Sequence, residues 1–596
     1  MSYTAPLRDM QFVLRELAGF GEVANLPGNE ELSLELVEQI LAENAKFAAG
    51  VLAPLNRPGD EEGSVWKDGD VTTPKGFKDA YRQFVEGGWN ALQFPSEFGG
   101  QGLPKLVAAP VMEMWKSANL SFSLCPLLTG GAIEALLLRG SAEQKATFLP
   151  KMVEGTWTGT MNLTEPQAGS DLALVKSKAV PEGDHYRIYG QKIFITYGEH
   201  DLAENILHLV LARTPDAPEG VRGISLFLVP KYLVNKDGSL GKRNDVRCAS
   251  IEHKLGIHAS PTAVMAYGDK EGAIGYLVGE ENRGLEYMFI MMNAARFAVG
   301  MEGVAVAEAA YQKALAYAKE RVQSRELGGS GSKAVPIIRH PDVRRMLMSM
   351  KAQAEATRAL AYVVAGALDK AHRHQDKDER VRAQAYVDLM IPIVKGWSTE
   401  TSIDVASLGI QVHGGMGFIE ETGAAQFLRD ARITTIYEGT TGIQANDLIG
   451  RKVARESGTT AKAVLESIRV LDAALAKIPG DDFAAIRSRL AAATEAAAET
   501  VDWIVATYGS DVKAAHAGAV PFLKLMGIVC GGWQMARAAA AAHGQLARRE
   551  GDAAFLNAKI ATARFVADHF LSQARGLRDA IVEGAPGVLA LAEEQF

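Results

Sequence analysis

Apolar residues recur three and four apart from Leu32 to about Gly159, as in Leu34, Val37, Ile40 and Leu41, and this spacing predicts helices. Within that stretch Ser141-Ala142-Glu143-Gln144 reads as a capping box, because a Ser oxygen and a Gln three residues on can satisfy first-turn amides. The period changes after Met161. Tyr186-Arg187-Ile188, a Gly190-centred turn, Ile193-Phe194-Ile195, Ile206 to Ala212 and Ile224 to Val229 are short β-branched and aromatic runs bounded by Gly, Pro and Asp. They predict a strand-rich segment ending near Leu277-Val278-Gly279. Helical spacing returns at about Leu285 and runs through Val304 to Glu326, His340 to His374 and Val381 to Gly409. A composition shift at Glu456-Ser457-Gly458-Thr459 opens a tail rich in Ala, Leu, Arg and Glu, broken mainly at Ile478-Pro479-Gly480, which reads as a separate helical bundle. The expected fold is mainly α with a central β domain: a helical domain with an N-terminal extension over 1–160, a β domain over 161–280, a helical bundle over 281–455 and an additional helical domain over 460–596.

With 596 residues, one hydrophobic core is too few. A hydrophobic content of 47% and a charged content of 22% are ordinary for globular chains and argue against long disorder. Lys and Arg number 63 against 71 Asp and Glu, a net charge of −8, so no basic excess points to nucleic acid or anionic lipid. Cys125, Cys248 and Cys530 are too few and too scattered for a disulfide framework or a metal cluster, and a reducing cytoplasm fits them. No leader pattern opens the chain and no uninterrupted apolar run reaches membrane-spanning length, so no transmembrane segment is expected. Gly328-Gly329-Ser330-Gly331-Ser332 lacks the Gly-Lys-Ser/Thr ending of a P-loop, and no Gly-x-Gly-x-x-Gly follows a strand.

Chemistry concentrates in a few motifs. Ile436-Tyr437-Glu438-Gly439-Thr440 sets a carboxylate between aromatic and small residues. Far upstream, Thr164-Glu165-Pro166-Gln167-Ala168-Gly169-Ser170-Asp171 has the Pro, Gly, Ser and Asp of a tight loop. Between them lie Tyr189-Gly190-Gln191-Lys192-Ile193-Phe194-Ile195-Thr196, Lys254-Leu255-Gly256, Ser260, Arg296, Arg321 and Gln411-Val412-His413-Gly414-Gly415-Met416-Gly417. Singly, each reads as a turn, a surface Arg or a helix end. Together, in this order, they resemble the acyl-CoA dehydrogenases across about residues 80 to 450. The opening Tyr3-Thr4-Ala5-Pro6-Leu7-Arg8-Asp9-Met10 and the long tail resemble the long subfamily that includes 3-methylmercaptopropionyl-CoA dehydrogenases.

That resemblance implies an N-terminal helical domain, a barrel-like middle domain, a C-terminal four-helix bundle and an extra helical bundle. It also implies FAD as hydride acceptor, since no amino acid accepts hydride well. Glu438 matches the family's base, and its backbone N–H matches the donor that polarises the substrate thioester. Some relatives carry the base one position before Arg296, where this chain has Ala295. Met161, Leu163, Thr164, Gly169, Ser170, Phe194, Thr196 and Thr440 match positions around the flavin, Phe194 standing where many relatives have Trp. Arg321, Gln411, Gly414 and Gly415 match positions that reach FAD from a neighbouring subunit. Ser170, Asn293, Arg296 and Gly439 are the expected substrate contacts. The expected partners are an acyl-CoA, electron-transfer flavoprotein and a second copy in a homodimer. Asn293, Ser324 and Gly442 depart from residues common in relatives. An acyl-CoA oxidase, a medium- or long-chain fatty acyl-CoA dehydrogenase and a non-catalytic helical scaffold are the competing readings.

Overall fold

A computed structural model describes residues 3–596. The chain begins with α1 (Leu7–Glu16), α2 (Phe20–Ala24), α3 (Leu34–Phe47), α4 (Ala53–Glu62), α5 (Phe77–Glu86), α6 (Lys105–Ala118), α7 (Leu120–Arg139) and α8 (Ala142–Glu154). A hairpin of β1 (Val65–Lys67) and β2 (Asp70–Thr72), not expected from the sequence, interrupts them. The predicted capping box forms at α8: Ser141 Oγ accepts from Gln144 N, and the Gln144 side chain accepts from Ser141 N. α7 has almost no polar face because α6, α8 and the sheet cover it on several sides.

The middle region holds β3 (Trp157–Asn162), β4 (Lys178–Glu182), β5 (His185–Thr196), β6 (Asn205–Ala212), β7 (Ser225–Pro230), β8 (Tyr232–Val234), β9 (Leu240–Arg243), β10 (Val246–Ile251), β11 (Thr262–Tyr267) and β12 (Ala273–Leu277). Eight of these form a curled half-barrel in the order β10-β11-β5-β12-β7-β6-β3, with β4 against β5. Only β3 and β6 run parallel among these pairs. Along β6, Leu207, Leu209 and Leu211 face the core shared with α7 and α8, whereas Val210 and Ala212 face the inside of the curl with Phe227 and Val229.

The expected turn at Gly190 is absent. β5 runs unbroken for 12 residues, and Gly190 sits within it at φ 140°. There the strand passes from pairing with β12 to pairing with β11, and a Cβ would lie 2.5 Å from Ser177 Oγ. Glycine is needed for close approach inside the strand, not for reversing it.

Three long helices, α9 (Gly284–Glu320), α10 (Pro341–Arg373) and α11 (Lys377–His413), then pack with α12 (Ala424–Thr434) and α13 (Thr441–Asp447). α9 stops six residues before the expected Glu326 because Arg321 turns extended and Val322 bridges Pro336. The tail supplies α14 (Thr459–Leu475), α15 (Asp481–Tyr508), α16 (Val512–Ala517), α17 (Ala519–Arg548) and α18 (Ala553–His569). It is not a detached bundle. α17 packs on α10 and α11, and one hydrophobic core runs from Tyr3 through Leu360 and Val394 to Ile581.

A buried charge cluster ties the two ends of the chain to this core. Arg358 donates to Glu113 at 2.6 Å, Asp9 at 2.7 Å and Glu308 at 2.8 Å, and Tyr362 donates to Glu113 at 2.6 Å. Lys559 of α18 pairs with Glu355 at 2.8 Å and with Asp9. Each buried charge therefore meets an opposite one.

By length and composition Leu120–Arg139, Gly284–Glu320 and Ala519–Arg548 are apolar enough to cross a membrane, which the count of uninterrupted apolar residues did not anticipate. In this fold most of each is buried against other helices or the sheet. All three cysteines are buried, and no cluster of His, Cys, Asp and Glu suited to a metal occurs among the described residues.

Candidate active site

Glu438 lies in the short loop between α12 and α13, where the backbone is forced into an unusual shape. Glu438 has φ 54° and Gly439 φ 85°, so two consecutive residues occupy the left-handed region. Glycine does this freely; a glutamate held there costs on the order of 1–2 kcal/mol. The surroundings fix the shape. Buried Lys395 of α11 donates to Thr434 O and Gly439 O, both at 2.8 Å. The Gln444 side chain donates to Glu438 O and Gly439 O at 3.2 and 3.3 Å. Thr440 is the N-cap of α13, its Oγ1 accepting from Ile443 N at 3.2 Å, which leaves the hydroxyl proton free to be donated.

Two groups of Glu438 are left over. Its carboxylate forms no hydrogen bond or ion pair, and its backbone N–H finds no acceptor among the described residues. No ion pair with Arg296 forms: Arg296 turns to Asp447 at 3.4 Å, which also takes Arg451 at 2.6 Å. Burial pushes the Glu438 carboxyl up to about 7, against the pull of Lys395 and Arg296 and with a smaller push from Glu302. Glu302 in turn accepts from Tyr437 and pairs with buried Lys116 at 3.2 Å. A carboxylate with such a value, unpaired beside a free N–H donor, can take a proton and polarise a carbonyl from one residue.

The flavin-type motifs converge on the end of β5. Glu165 is fixed by Lys192 at 2.8 Å, by Ser177 and by the amide of Lys176, and these contacts hold its carboxyl down at about 2 despite the opposing effect of burial. Lys192 Nζ also donates to Leu163 O, and Ile193 N donates to Thr164 O. This buried clasp joins the Thr164–Asp171 loop to the strand carrying Phe194 and Thr196. Phe194 is 60% exposed at φ 59°, an apolar ring held out of the core. Gly169 and Ser170, on the clasped loop, are exposed, with open space over Gly169, and Thr164 and Thr196 are half-buried. Met161 and Leu163 belong to the core under the sheet. An open aromatic face near hydroxyls, on a rigid strand end, fits a flat ring system such as isoalloxazine.

Contacts between domains bring that strand end towards Glu438. Thr196 pairs with Thr262, Tyr197 N donates to Pro261 O, and Ile257 N donates to Asp430 of α12 at 2.6 Å. α12 leads directly into Glu438. Asn293 and Arg296 line a cavity of about 310 Å³ between α6, α7 and α9, with Phe94, Leu127 and Phe297 among its apolar walls.

Arg321, Gln411, Gly414 and Gly415 are not brought to this site within one chain. Arg321 lies 25 residues beyond Arg296 along α9, about 37 Å at helical rise. Tyr317 stacks on His413 at 4.4 Å, so the ends of α9 and α11 meet there and these four residues cluster. Gly414 and Gly415 are exposed, with nothing near their absent side chains, so a ligand can approach this backbone closely.

Lys395, Gln444, Glu302 and Lys116 were not singled out from the sequence. A signal existed for Lys395, a lone charge in the apolar run Met390-Ile391-Pro392-Ile393-Val394.

Four family descriptions match in succession: acyl-CoA dehydrogenase N-terminal domain at 35–156, middle domain at 160–269, C-terminal domain at 282–453, and acetyl-CoA dehydrogenase C-terminal like at 459–592. The chain belongs to the acyl-CoA dehydrogenase family, the flavin-dependent oxidoreductases whose cofactor is FAD. It is 53% identical over 590 residues, 99% of both chains, to a 3-methylmercaptopropionyl-CoA dehydrogenase of Ruegeria pomeroyi. It is also 34% identical over 616 residues to a butyryl-CoA dehydrogenase of Syntrophomonas wolfei, covering 100% of this chain and 99% of that one. The crystal structure of an acyl-CoA dehydrogenase complexed with FAD from Bacillus anthracis shares the fold, with a TM-score of 0.74 and 20% identity over 98% of this chain and 93% of that one.

Proposed function

We propose that the protein introduces a trans-2,3 double bond into 3-methylmercaptopropionyl-CoA, and into short straight-chain acyl-CoA thioesters of similar length. The observation that carries this reading is the pair of unused groups on Glu438, a carboxylate without a partner and an N–H without an acceptor. The N–H would donate to the thioester carbonyl oxygen and so acidify the α-proton, and the carboxylate would remove that proton. FAD, when bound, supplies the acceptor for the β-hydride. Phe194, Thr164, Thr196 and Ser170 would pack on and hydrogen-bond its ring, Thr440 would offer its hydroxyl proton, and Met161 and Leu163 would support the ring from the core side. Asn293, Arg296, Gly439 and Ser170 would line the path of the acyl thioester.

The separation of Arg321, Gln411, Gly414 and Gly415 from the base supports a homodimer in which these residues serve the partner's FAD. Electron-transfer flavoprotein is the proposed electron acceptor, and the cytoplasm the proposed location. The substrate choice rests on the close relative and on chemistry: a thioether sulfur and a methylene are similar in size and both apolar, so one pocket discriminates weakly between them. The test is a panel of acyl-CoAs, including 3-methylmercaptopropionyl-, butyryl-, hexanoyl- and palmitoyl-CoA, scored by flavin bleaching under nitrogen. Bleaching by the first three is expected. A highest kcat/KM for palmitoyl-CoA would reject the substrate while leaving the reaction class intact.

A further inference from the structure

We infer that Lys395 is a positioning residue for the base: its ammonium clamps the Glu438 loop through two backbone carbonyls and supplies the positive charge that lets the Glu438 carboxylate ionise. This deepens the reading of Glu438 as the base and rests on it.

The geometry is specific. Lys395 is fully buried near the middle of α11, and its Nζ spans the carbonyl oxygens of Thr434, the last residue of α12, and of Gly439, just after Glu438. These two carbonyls bracket the left-handed Glu438, so the ammonium closes the loop from Thr434 to Gly439 like a pin. No carboxylate lies within ion-pair distance of Lys395 among the described residues, although buried lysines ordinarily require one. Carbonyl dipoles satisfy two of its three protons, and its net charge is left to act on whatever ionises nearby.

The charged groups facing this spot come from every element around it. Glu438 and Tyr437 stand on the loop, Glu302 and Arg296 on α9, Lys116 on α6, Glu400 on α11, Asp430 on α12 and Asp447 on α13. Most are already committed. Glu302 takes Lys116 and Tyr437, Arg296 takes Asp447, Glu400 takes the Thr441 hydroxyl and Asp430 takes the Ile257 amide. Glu438 and Lys395 are the two left with no side-chain partner. Burial holds Lys395 down to about 8, with Glu438 its largest opposing influence, and Lys395 is the largest influence opposing the upward shift of Glu438.

The test compares the holoenzyme with Lys395→Met, Lys395→Gln and Lys395→Arg, together with Glu438→Gln as a control on the base itself. Each is checked for FAD content and native circular dichroism, then for kcat and the pH profile of kcat/KM on hexanoyl-CoA. Lys395→Met should lower kcat about 10- to 100-fold through misplacement of the base. It should also move the acid limb of the kcat/KM profile upward by about one pH unit, because a lost positive charge disfavours the carboxylate. Lys395→Gln keeps a donor without charge, so the limb should move while kcat falls less. Lys395→Arg keeps the charge and should leave the limb near its wild-type position. A folded, yellow Lys395→Met or Lys395→Gln enzyme with an unmoved limb overturns the inference. So does loss of FAD and fold in both, which would assign Lys395 to stability alone. If Glu438→Gln remains fully active, the reading of the base itself fails, whatever Lys395 does.

Discussion

Trp397 of α11 fills a notch over Gly527 of α17: a Cβ built on that glycine would lie 2.2 Å from Trp397 Cγ. Gly531, one turn on, faces the far edge of the same indole, where a Cβ would fall 2.3 Å from Trp397 Cη2. The terminal helices are therefore keyed to the bundle that carries Glu438, since Trp397 stands two residues after Lys395.

Filling the notch should loosen this join. Gly527→Val places branched carbon where the indole lies, and overpacking of this kind costs about 1–3 kcal/mol or more. Urea unfolding of the holoenzyme should show a lower midpoint than wild type, and an unchanged midpoint would contradict the packing.

Glu438→Gln should keep FAD and bind acyl-CoA while losing turnover by about 10²- to 10⁴-fold, the amount expected for removing a positioned base. Stopped-flow bleaching of the flavin measures this directly. Near-normal bleaching in a yellow mutant would remove Glu438 from the chemistry.

The raised carboxyl of Glu438 fixes the direction of the pH response. A base must be ionised to act, so in wild type kcat/KM should climb as pH rises towards about 7 and level off above it. Its effect on stability has the opposite sense. The folded state holds this proton to higher pH than the unfolded chain, so this group's contribution is greatest below the ordinary value of 4.5 and declines as pH rises through about 7. A flat kcat/KM profile between pH 5.5 and 8 would disprove the assigned environment.

Arg321→Ala should release FAD and lower the melting temperature together, since a ligand bound only to the native state adds stability. Absorbance after gel filtration and melting curves with and without added FAD test it; full flavin retention would contradict a role at the cofactor.

Asp9→Asn should leave Arg358 and Lys559 short of a counter-charge and cost about 3–5 kcal/mol. Burial alone would raise the Asp9 carboxyl, but Lys559 and Arg358 outweigh it and hold it down at about 2, below its ordinary 3.8. Its contribution is thus complete above 3.8 and lost as pH falls through about 2. The gap in urea midpoint between wild type and mutant should be constant above about pH 5 and shrink below pH 4; a gap that widens on acidification would rule out this pairing.

Much of this was legible in the sequence where a local pattern was sufficient. The capping box at Ser141 and Gln144 depends on four adjacent residues, and the three long helices show their period directly. The Glu438 motif stood out because Glu438 and Gly439 are neighbours. Gly190 misled because a glycine in a strand and a glycine in a turn look the same until Ser177 is placed beside it. Lys395 was missed for a similar reason: its partners, Thr434 and Gly439, are backbone carbonyls, which every sequence has everywhere. The tail's union with α10 and α11 was hidden because alanine- and glycine-rich helices signal close packing without naming the partner, here Trp397.

The pairing of Asp9 with Lys559 joins positions 550 residues apart. During synthesis the opening segment emerges early, yet its counter-charge on α18 arrives almost last. Until then Asp9 and Glu355 lack the charge of Lys559, and the N-terminal segment has no complete seat. Closure of the charge cluster is thereby made a late event in the birth of the molecule, one that waits for α18 before the N-terminal segment is locked in place.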